Sequence, residues 1–571
     1  MTRLAPVLLS FVLLCAARPS LPAVGRGPMP DRPNVILIVT DDQGYGDLGI
    51  HGNDQIDTPH LDRLAREGVE LTRFYCSPVC APTRASLMTG RYYYRTGVIH
   101  TSRGGAKMHG DELTIAEYLS RAGYRTGIFG KWHLGDNYPM RPQDQGFQES
   151  LVHKSGGIGQ TPDRPNSYHD PVLWHNGRRT KARGYCTDVF FDAASRFIES
   201  HRDERFFVYL PTNAPHTPLA IGRRYSDPYK AKGLDDTTAK VYGMVTNIDD
   251  NVGRLLARLR ELKLRDSTLI IFLSDNGPQQ ARYNAGLRGR KGSTYEGGIR
   301  AACFVQWPAR LEGGRKIDRI TAHIDIAPTI LSVCVPGLAK TAPLDGRSLM
   351  PLLEGRADDW PDRTLLFQCH RGLVPNRYQN FAAVTQRFKL MGYPGTFSDE
   401  QLDTAGEPIL ELYDLAADMT ERHNLVAKRP QVARGLRTAY EAWLADVSAS
   451  RSLVPGVIHI GSEEENPARL CRYQDANYRG GQPRGWSVRV EVGGRYRFAI
   501  NRGPFTAKAK LHVRWNSTQS SRPLAAGADA AGFDLAAGQG VLEVWFVEEG
   551  KRRRVFSDND TVGDVDVEQL D

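Results

Sequence analysis

The stretch NVILIVTDD (34–42) decides the fold. It opens with a continuous apolar and β-branched run, which is the pattern of a strand buried on both faces of a parallel sheet. Similar short runs recur at YRTGIFG (124–130), FFVYL (206–210) and STLIIFL (267–273), and helical periodicity covers about 237–264. Strands that alternate with helices predict a largely parallel α/β sheet with helices on both faces.

Length and composition limit the function classes. With 571 residues the chain exceeds what one hydrophobic core holds, so two or three packed units are expected. The formal charge of +9 is modest for this size, and no nucleic-acid-binding module is present. We therefore predict no nucleic-acid partner.

The N-terminus, MTRLAPVLLSFVLLCAARPS (1–20), has the pattern of a secretory signal. Arg3 precedes an apolar stretch from Leu4 to Ala17, and small residues and prolines follow. The apolar stretch is shorter than the ~20 residues that a membrane-spanning helix needs. We predict a signal peptide over 1–24, a periplasmic or secreted protein, and no membrane insertion.

Seven cysteines lie outside this signal segment. They are spread over the whole chain, which is not the pattern of a disulfide framework. An odd number in an exported protein means that at least one thiol is free or chemically used. These cysteines are Cys76, Cys80, Cys186, Cys303, Cys334, Cys369 and Cys471.

Two oxygen-rich pairs follow predicted strands directly: Asp41–Asp42 after NVILIVT and Asp275–Asn276 after STLIIFLS. Active and binding sites in such sheets lie beyond the carboxyl ends of the strands, so both pairs should project from the same edge of the sheet. Oxygen ligands of this kind suit calcium or magnesium. The alternative is that Asp and Asn after strands merely form turns. Asp249–Asp250, within a helical pattern, are predicted to lie at the surface.

The segment CSPVCAPTRASLMTGR (76–91) predicts a helix that Pro82 can start and Gly90 can stop. Cys80 then stands at the helix N-terminus, where unpaired amides and the macrodipole favour an anion. Cys76 has no such position and is interpreted as a small buried residue or a disulfide partner.

From Cys80 to Arg91, CAPTRASLMTGR resembles the signature of the formylglycine-dependent (type I) sulfatases, in which the cysteine of a C-x-P-x-R core is oxidised to an aldehyde before the chain folds. Together with further segments in family order, the resemblance covers about 33–448. It implies an alkaline-phosphatase-like mixed sheet flanked by helices. The further segments are TDDQGYGD (40–47), GKWHLG (130–135), APHTP (214–218), SDNGP (274–278), LRGRKGSTYEGGIR (287–300), HIDIAPT (323–329), ELYDL (411–415) and NL (424–425).

The same resemblance implies a cofactor set: one calcium ion, and formylglycine (3-oxoalanine) made from Cys80 by a formylglycine-generating enzyme acting on the nascent chain. A hydrated aldehyde carries two hydroxyls, one of which attacks sulfur while the other later expels sulfate. The implied calcium ligands are Asp41, Asp42, the modified Cys80, Asp275 and Asn276.

Five further residues receive catalytic roles by resemblance. Arg84 and Lys131 would contact the hydrated aldehyde and the side of the site where the cation binds. His133 would act as the base in the step that releases sulfate. His216 and Lys291 would bind sulfate oxygens, as would Lys131, and His216 or Lys291 would protonate the leaving alcohol. On residue type alone, lone histidines and lysines are as easily surface or structural groups.

The implied function is hydrolysis of sulfate monoesters of carbohydrates or aryl alcohols, with a sulfated small molecule or glycan as partner. Two alternatives stay open: a phosphatase or phosphonate monoester hydrolase of the same superfold, and a non-catalytic glycan-binding protein with an unmodified cysteine.

The predicted organisation after the signal has three parts. A catalytic domain spans 33–364, and a smaller antiparallel subdomain with a terminal helix spans 365–448. The alternating pattern of 455–571 predicts a β-sandwich accessory domain. Three tryptophans of that part are predicted to fill its core rather than to stack on sugar rings: Trp486, Trp515 and Trp545.

Overall fold

A computed structural model describes most of the chain after the predicted signal segment 1–24, which lies outside the described residues. The described residues are 32–337, 343–370, 374–392, 408–451, 453–479, 482–501, 509–548, 551–554 and 564–570. Within them, no helix combines the length and the apolar character needed to cross a membrane.

The strand Asn34–Thr40 lies at the centre of a mixed sheet that has ten strands among the described residues. It pairs in parallel with its neighbours on both sides. Its side chains alternate between two separate hydrophobic cores, one on each face of the sheet, and all of them are buried. In sheet order the strands are Arg315–Ile317, Val69–Leu71, Cys303–Gln306, Thr268–Ser274, Asn34–Thr40, Phe206–Pro211, Arg125–Lys131, Glu149–His153, Val172–His175 and Arg178–Lys181.

Helices cover both faces of this sheet, which confirms the predicted α/β class. One core receives Pro59–Glu67, Cys186–Ser200 and Asp236–Glu261, whereas the other receives Cys80–Thr89, Ile115–Arg121 and Ile326–Cys334. The predicted capping box at Thr114 is present, with both of its hydrogen bonds made. Further helices are Arg223–Ala231, Glu296–Ile299, Met350–Leu353, Pro430–Arg451 and Arg472–Asp475.

Asp249 does not lie at the surface, and that prediction was wrong. Its side chain is fully buried and accepts hydrogen bonds from the backbone N–H groups of His60 (3.1 Å) and Leu61 (2.6 Å). His60 and Leu61 belong to the first turn of the helix Pro59–Glu67, whose N-cap residue Thr58 makes no side-chain hydrogen bond to that turn. Asp249, from a distant part of the chain, therefore accepts hydrogen bonds from two backbone N–H groups that have no partner within the helix. Burial raises the pKa of Asp249 to about 7 despite these two bonds. Asp250 is exposed as predicted.

Asp249→Ala is expected to lower the free energy of unfolding by about 2 kcal/mol, because two amides at a helix start lose their acceptor. Asp250→Ala is the matched control and should change it by less than about 0.5 kcal/mol. Urea denaturation followed by fluorescence measures both. Equal effects of the two substitutions would contradict the capping role.

A four-stranded antiparallel sheet follows the main sheet in the chain. Its strands lie in sequence order, and the helix Pro430–Arg451 packs against it through Tyr440, whose ring stacks on Phe381 at 3.8 Å between centroids. These residues belong to the same hydrophobic core as one face of the main sheet. The strands are Leu365–Gln368, Phe381–Val384, Phe388–Gly392 and Leu410–Asp414.

Among the described residues, the C-terminal part contains a two-stranded sheet, Tyr478–Arg479 with Gln482–Pro483, and two larger sheets that share one hydrophobic core. One sheet comprises Ile458–Ile460, Trp486–Val490, Gly538–Glu548, Ala509–Trp515, Thr518–Leu524 and Lys551–Arg554. The other comprises Ala468–Cys471, Asp564–Leu570, Gly494–Ile500 and Ala530–Leu535. Trp486 and Trp515 belong to this core, as predicted. Trp545 is buried but lies outside the core, where its ring stacks on His512 at 5.1 Å between centroids, so the prediction was wrong for this residue.

Candidate active site

The two acidic pairs predicted from the sequence meet at one edge of the main sheet. Thr40 and Ser274 are register partners at the ends of adjacent parallel strands, so the residues that follow them lie side by side. The backbone N–H of Asp42 donates to Asp275 Oδ1 at 3.2 Å, and Asn276 Nδ2 donates to Asp42 Oδ1 at 2.8 Å. All four members of the two pairs are buried.

Cys80 joins this cluster from the other side. It is the first residue of the helix Cys80–Thr89, and Gly90 ends the helix in a left-handed conformation (φ 71°). Its Sγ atom and carboxylate oxygens of Asp41 and Asp275 all lie within 4.8 Å of one another. The side chain is 2% exposed, and burial raises the pKa of its thiol to about 12.

Three oxygens of the cluster have no hydrogen-bond partner although they are buried: Asp41 Oδ1, Asp42 Oδ2 and Asn276 Oδ1. Buried polar atoms in folded proteins nearly always have a partner. Several unpaired oxygens at one place, two of them from carboxylates, are the donor set of a hard divalent cation. Asp41, Cys80 and Asp275 thus form one face of a candidate metal site, with Asp42 and Asn276 beside them.

Three cations surround these acids. Arg84 donates to Asp275 Oδ2 from Nη2 at 2.7 Å and from Nε at 3.1 Å, and Lys131 Nζ donates to Asp41 Oδ2 at 2.7 Å. Both pairs are completely buried. Burial and the nearby charge of Asp41 raise the pKa of Asp275 to about 6, and Arg84 and Lys131 oppose that shift.

Lys291 differs from the other two cations because it reaches the cavity. Its Nζ lies 2.5 Å from Asp42 Oδ1 and 3.3 Å from Cys80 Sγ. Burial alone would raise the pKa of Asp42, but the charge of Lys291 and its hydrogen bond bring that pKa below its ordinary value. A positive charge therefore stands directly beside the cysteine.

The two predicted histidines are both at the site and both neutral. His133 Nε2 donates to the carbonyl of Thr101 at 2.8 Å, which leaves the buried Nδ1 without a partner. Burial, reinforced by the charge of Lys131, holds the pKa of His133 well below its usual range. His216 donates from Nδ1 to the carbonyl of Thr217 at 2.6 Å, and burial lowers its pKa to about 3.

Backbone strain also marks this place. Asp42 and His133 have φ angles of 64° and 63°, in the left-handed region that non-glycine residues seldom adopt. Strained positions of this kind concentrate at functional sites, where surrounding contacts hold them.

An open cavity of about 310 Å³ leads to the cluster. Cys80, His133, His216 and Lys291 line it, whereas Arg84 and Lys131 lie behind the acids and do not. From the sequence, no role was assigned to the polar side chains that form the rest of the wall, although Thr217 lies within APHTP (214–218) and Gln279 directly follows SDNGP (274–278). These side chains are Thr101, Ser102, Gln160, Thr217 and Gln279.

Cys76, the other cysteine of the opening segment, takes no part in the cluster. It is fully buried, and its Sγ donates to the carbonyl of Ser274 at 3.2 Å. All seven cysteines outside the signal segment are buried, and within the described residues none of them forms a disulfide bond. The interpretation that they form no disulfide framework agrees with this, and Cys76 is the small buried residue rather than a disulfide partner.

Fold and site together define an α/β protein whose polar cavity, with Lys291 in its wall, opens at the carboxyl edge of the sheet, where enzymes of this class hold their active sites. The Sulfatase family model matches residues 33–334, which is more than half of the chain. A second model, N-sulphoglucosamine sulphohydrolase, C-terminal, matches residues 290–442. The chain therefore belongs to the sulfatase family of hydrolases.

Individual proteins similar to this chain support the same family assignment. Arylsulfatase A of Homo sapiens is 31% identical over 512 residues, which cover 80% of this chain and 96% of that protein. Steryl-sulfatase of Mus musculus is 30% identical over 553 residues, covering 77% and 86% respectively. The crystal structure of Ps i-CgsB in complex with k-i-k-neocarrahexaose has a TM-score of 0.65 and 29% identity, covering 74% of this chain and 94% of that chain. The resemblance found in the sequence segments is confirmed.

Proposed function

We propose that the protein hydrolyses sulfate monoesters with a formylglycine made from Cys80 and a bound calcium ion. The observation that carries the proposal is the group of unpaired buried oxygens on Asp41, Asp42 and Asn276 beside Cys80 and the cation of Lys291.

The donor set fits calcium. It offers carboxylate and amide oxygens, which hard cations prefer, and no histidine needs to act as a ligand. We propose that the ligands are Asp41, Asp42, the modified Cys80, Asp275 and Asn276. Bound there, the ion would stabilise negative charge on the sulfate oxygens and lower the pKa of a nearby hydroxyl. Arg84 and Lys131 hold Asp275 and Asp41 in place from behind.

Burial of Cys80 bears on how the aldehyde arises. An enzyme cannot reach a side chain that is 2% exposed and packed at the start of a helix, so the folded protein is a poor substrate for oxidation at this position. This supports modification of the nascent chain by a formylglycine-generating enzyme. Formylglycine at position 80 would supply, in its hydrated form, two hydroxyls for the two halves of the hydrolysis.

The chain's own residues then handle charge and protons. Lys291 and His216 line the cavity next to Cys80, where sulfate oxygens would lie, and Lys291 is the protonated one of the two. We assign proton donation to the leaving alcohol to Lys291. His133 presents an unpaired Nδ1 and is neutral, as a base requires. Lys131, which does not line the cavity, acts through Asp41 and not on the substrate directly.

The wall of the cavity favours a sugar as the alcohol. Beyond the charged cluster its side chains are hydroxyl and amide groups apart from Val79, and among the described lining residues none is Phe, Tyr or Trp. Such groups pair with the hydroxyls of a carbohydrate, whereas a steroid or aryl ring needs apolar contact. The similar protein Ps i-CgsB was solved in complex with k-i-k-neocarrahexaose. We propose a sulfated carbohydrate as the natural substrate.

Export and domain division are further parts of the proposal. The signal-like segment 1–24 would direct the protein to the periplasm or the exterior. A catalytic domain over 33–364, a subdomain over 365–448 and an accessory domain over 455–571 agree with the sheets described above.

The purified protein, produced with a formylglycine-generating enzyme, is expected to hydrolyse 4-nitrophenyl sulfate with a kcat/KM at least about 100-fold above that for 4-nitrophenyl phosphate. The two substrates share a leaving group, so the ratio of the two kcat/KM values reports only the preference for the sulfate over the phosphate group. Steady-state release of 4-nitrophenol measures both.

A preference for the phosphate ester would favour the phosphatase alternative. No turnover of either ester by protein that carries the aldehyde would favour a binding protein. Desulfation of a panel of sulfated monosaccharides, compared with a steroid sulfate, tests the choice of alcohol.

A further inference from the structure

A short segment of the C-terminal part, residues 471–477, reaches into the loops that form the active site. The backbone N–H of Gly104 donates to the carbonyl of Gln474 at 2.8 Å. Buried Lys107 donates from Nζ to the carbonyl of Asp475, also at 2.8 Å. A side chain at position 104 would collide with Ala476 and Asn477, so the two segments approach closely. This contact joins the β-sheets after residue 455 to the catalytic cavity.

Gln474 makes the most specific of these contacts. Its side chain is buried, and its amide end lies among one carbonyl and two donors. The partners decide the orientation of the amide: the nitrogen donates to the carbonyl of Thr101 at 3.2 Å, and the oxygen accepts from Ser155 Oγ at 2.7 Å and from the N–H of Gly156 at 2.9 Å. Thr101 and Gly156 both line the active-site cavity.

The carbonyl of Thr101 connects Gln474 to a histidine of the site. That carbonyl also accepts from His133 Nε2 at 2.8 Å, so it receives hydrogen bonds from both side chains. A neutral imidazole that donates from Nε2 must carry its lone pair on Nδ1. The position of the Thr101 carbonyl therefore fixes both the tautomer and the ring orientation of His133. Gly156 packs against the same ring, since a Cβ there would lie 2.8 Å from His133 Cε1.

We infer that Gln474 is a positioning residue of the active site, supplied by the C-terminal part of the chain, that holds His133 ready to act as a base. The inference rests on the proposed function for the role of His133, but the contacts themselves do not. Gln474 lies beyond the residues that the two family models match, 33–334 and 290–442. The C-terminal part of the chain therefore supplies a residue that positions a side chain of the active site.

Gln474→Glu tests the inference with minimal change of shape. A carboxylate keeps the acceptor for Ser155 and Gly156 but cannot donate to the carbonyl of Thr101. We expect kcat for 4-nitrophenyl sulfate to fall about tenfold with KM within about twofold, because a base is misplaced while the anion site is intact. Hydrogen–deuterium exchange should become faster in peptides covering 98–108, and the melting temperature should change little.

Gln519→Glu is the matched control, because it makes the same chemical change at an exposed position of the strand Thr518–Leu524. It should leave kcat, KM and exchange in 98–108 unchanged. Gln474→Met, which removes all three hydrogen bonds, should lower kcat further than Gln474→Glu does.

Two failures are distinguishable. If the wild-type protein carries the aldehyde and does not turn over the aryl sulfate, the proposed function fails. If the wild-type protein is active and Gln474→Glu retains its kcat and its exchange rates, the inference alone is overturned. A loss of kcat that comes only with a matching rise in KM or a lower melting temperature also overturns it, because Gln474 would then be structural.

Discussion

Cys80→Ala is expected to abolish turnover while the protein stays folded. The substitution leaves a methyl group in place of the thiol that would be oxidised to the aldehyde, and Asp41, Asp275 and Lys291 beside it carry no hydroxyl that could replace the nucleophile. Loss of a covalent nucleophile lowers kcat by several orders of magnitude, here at least about 10⁴-fold. Steady-state hydrolysis of 4-nitrophenyl sulfate measures the loss, and thermal unfolding shows that the fold is retained.

Cys76→Ala is the matched control. Cys76 is equally buried, lies four positions earlier and donates only to a backbone carbonyl, so its removal should leave turnover largely unchanged. Mass spectrometry of the tryptic peptide 74–84 then locates the modification. In active protein Cys80 should have lost its sulfur and two hydrogens and gained one oxygen, whereas Cys76 should keep its thiol. Active protein with ordinary thiols at both positions would contradict the mechanism.

Lys291→Met is expected to lower kcat/KM about 1000-fold, the second largest effect. Lys291 places a positive charge 3.3 Å from Cys80 Sγ at the inner end of the cavity, where charge builds on the transferred sulfate and the departing oxygen. Its substitution should harm esters of poorly acidic alcohols most, because these need a proton on leaving. Comparing 4-nitrophenyl sulfate with a sulfated sugar therefore separates proton donation from anion binding.

Arg290→Met provides the control, since it removes the same charge at the adjacent, exposed position. It should leave kcat/KM within about twofold. An equal loss of kcat/KM in Lys291→Met and Arg290→Met would mean that the total positive charge of this region promotes substrate binding, and not the contact of Lys291 with the site. An equal loss for both classes of ester in Lys291→Met would assign the proton to another group.

The sequence was informative where local pattern and tertiary structure obey the same rule. A run such as 34–40 can be so uniformly apolar only if both of its faces are covered, and strand ends in a parallel sheet must meet at one edge. These two rules are enough to bring Asp41, Asp42, Asp275 and Asn276 together. The flanking motifs then identified Cys80, Lys291 and the two histidines by resemblance.

The sequence was uninformative where a contact joins distant segments through hydrogen bonds that have no period. Asp249 looked like a surface residue because helical periodicity says nothing about a second helix whose start lies against it. Gln474 carries no signal either, because its partners lie in loops and the neighbouring bond from Lys107 to Asp475 spans 368 positions. Such contacts emerge only when the fold is complete.

Because residues 471–477 hold loops that line the cavity, the order of biosynthesis matters. Ribosomes add about 5 to 20 residues per second, so on the order of 20 to 80 s pass between the emergence of Cys80 and that of Gln474. During that interval the cysteine has left the ribosome while the segment that holds these loops has not yet been made. Under the proposed function, a maturing enzyme would meet its target in an incomplete chain, and a chain that folded before oxidation would stay inactive.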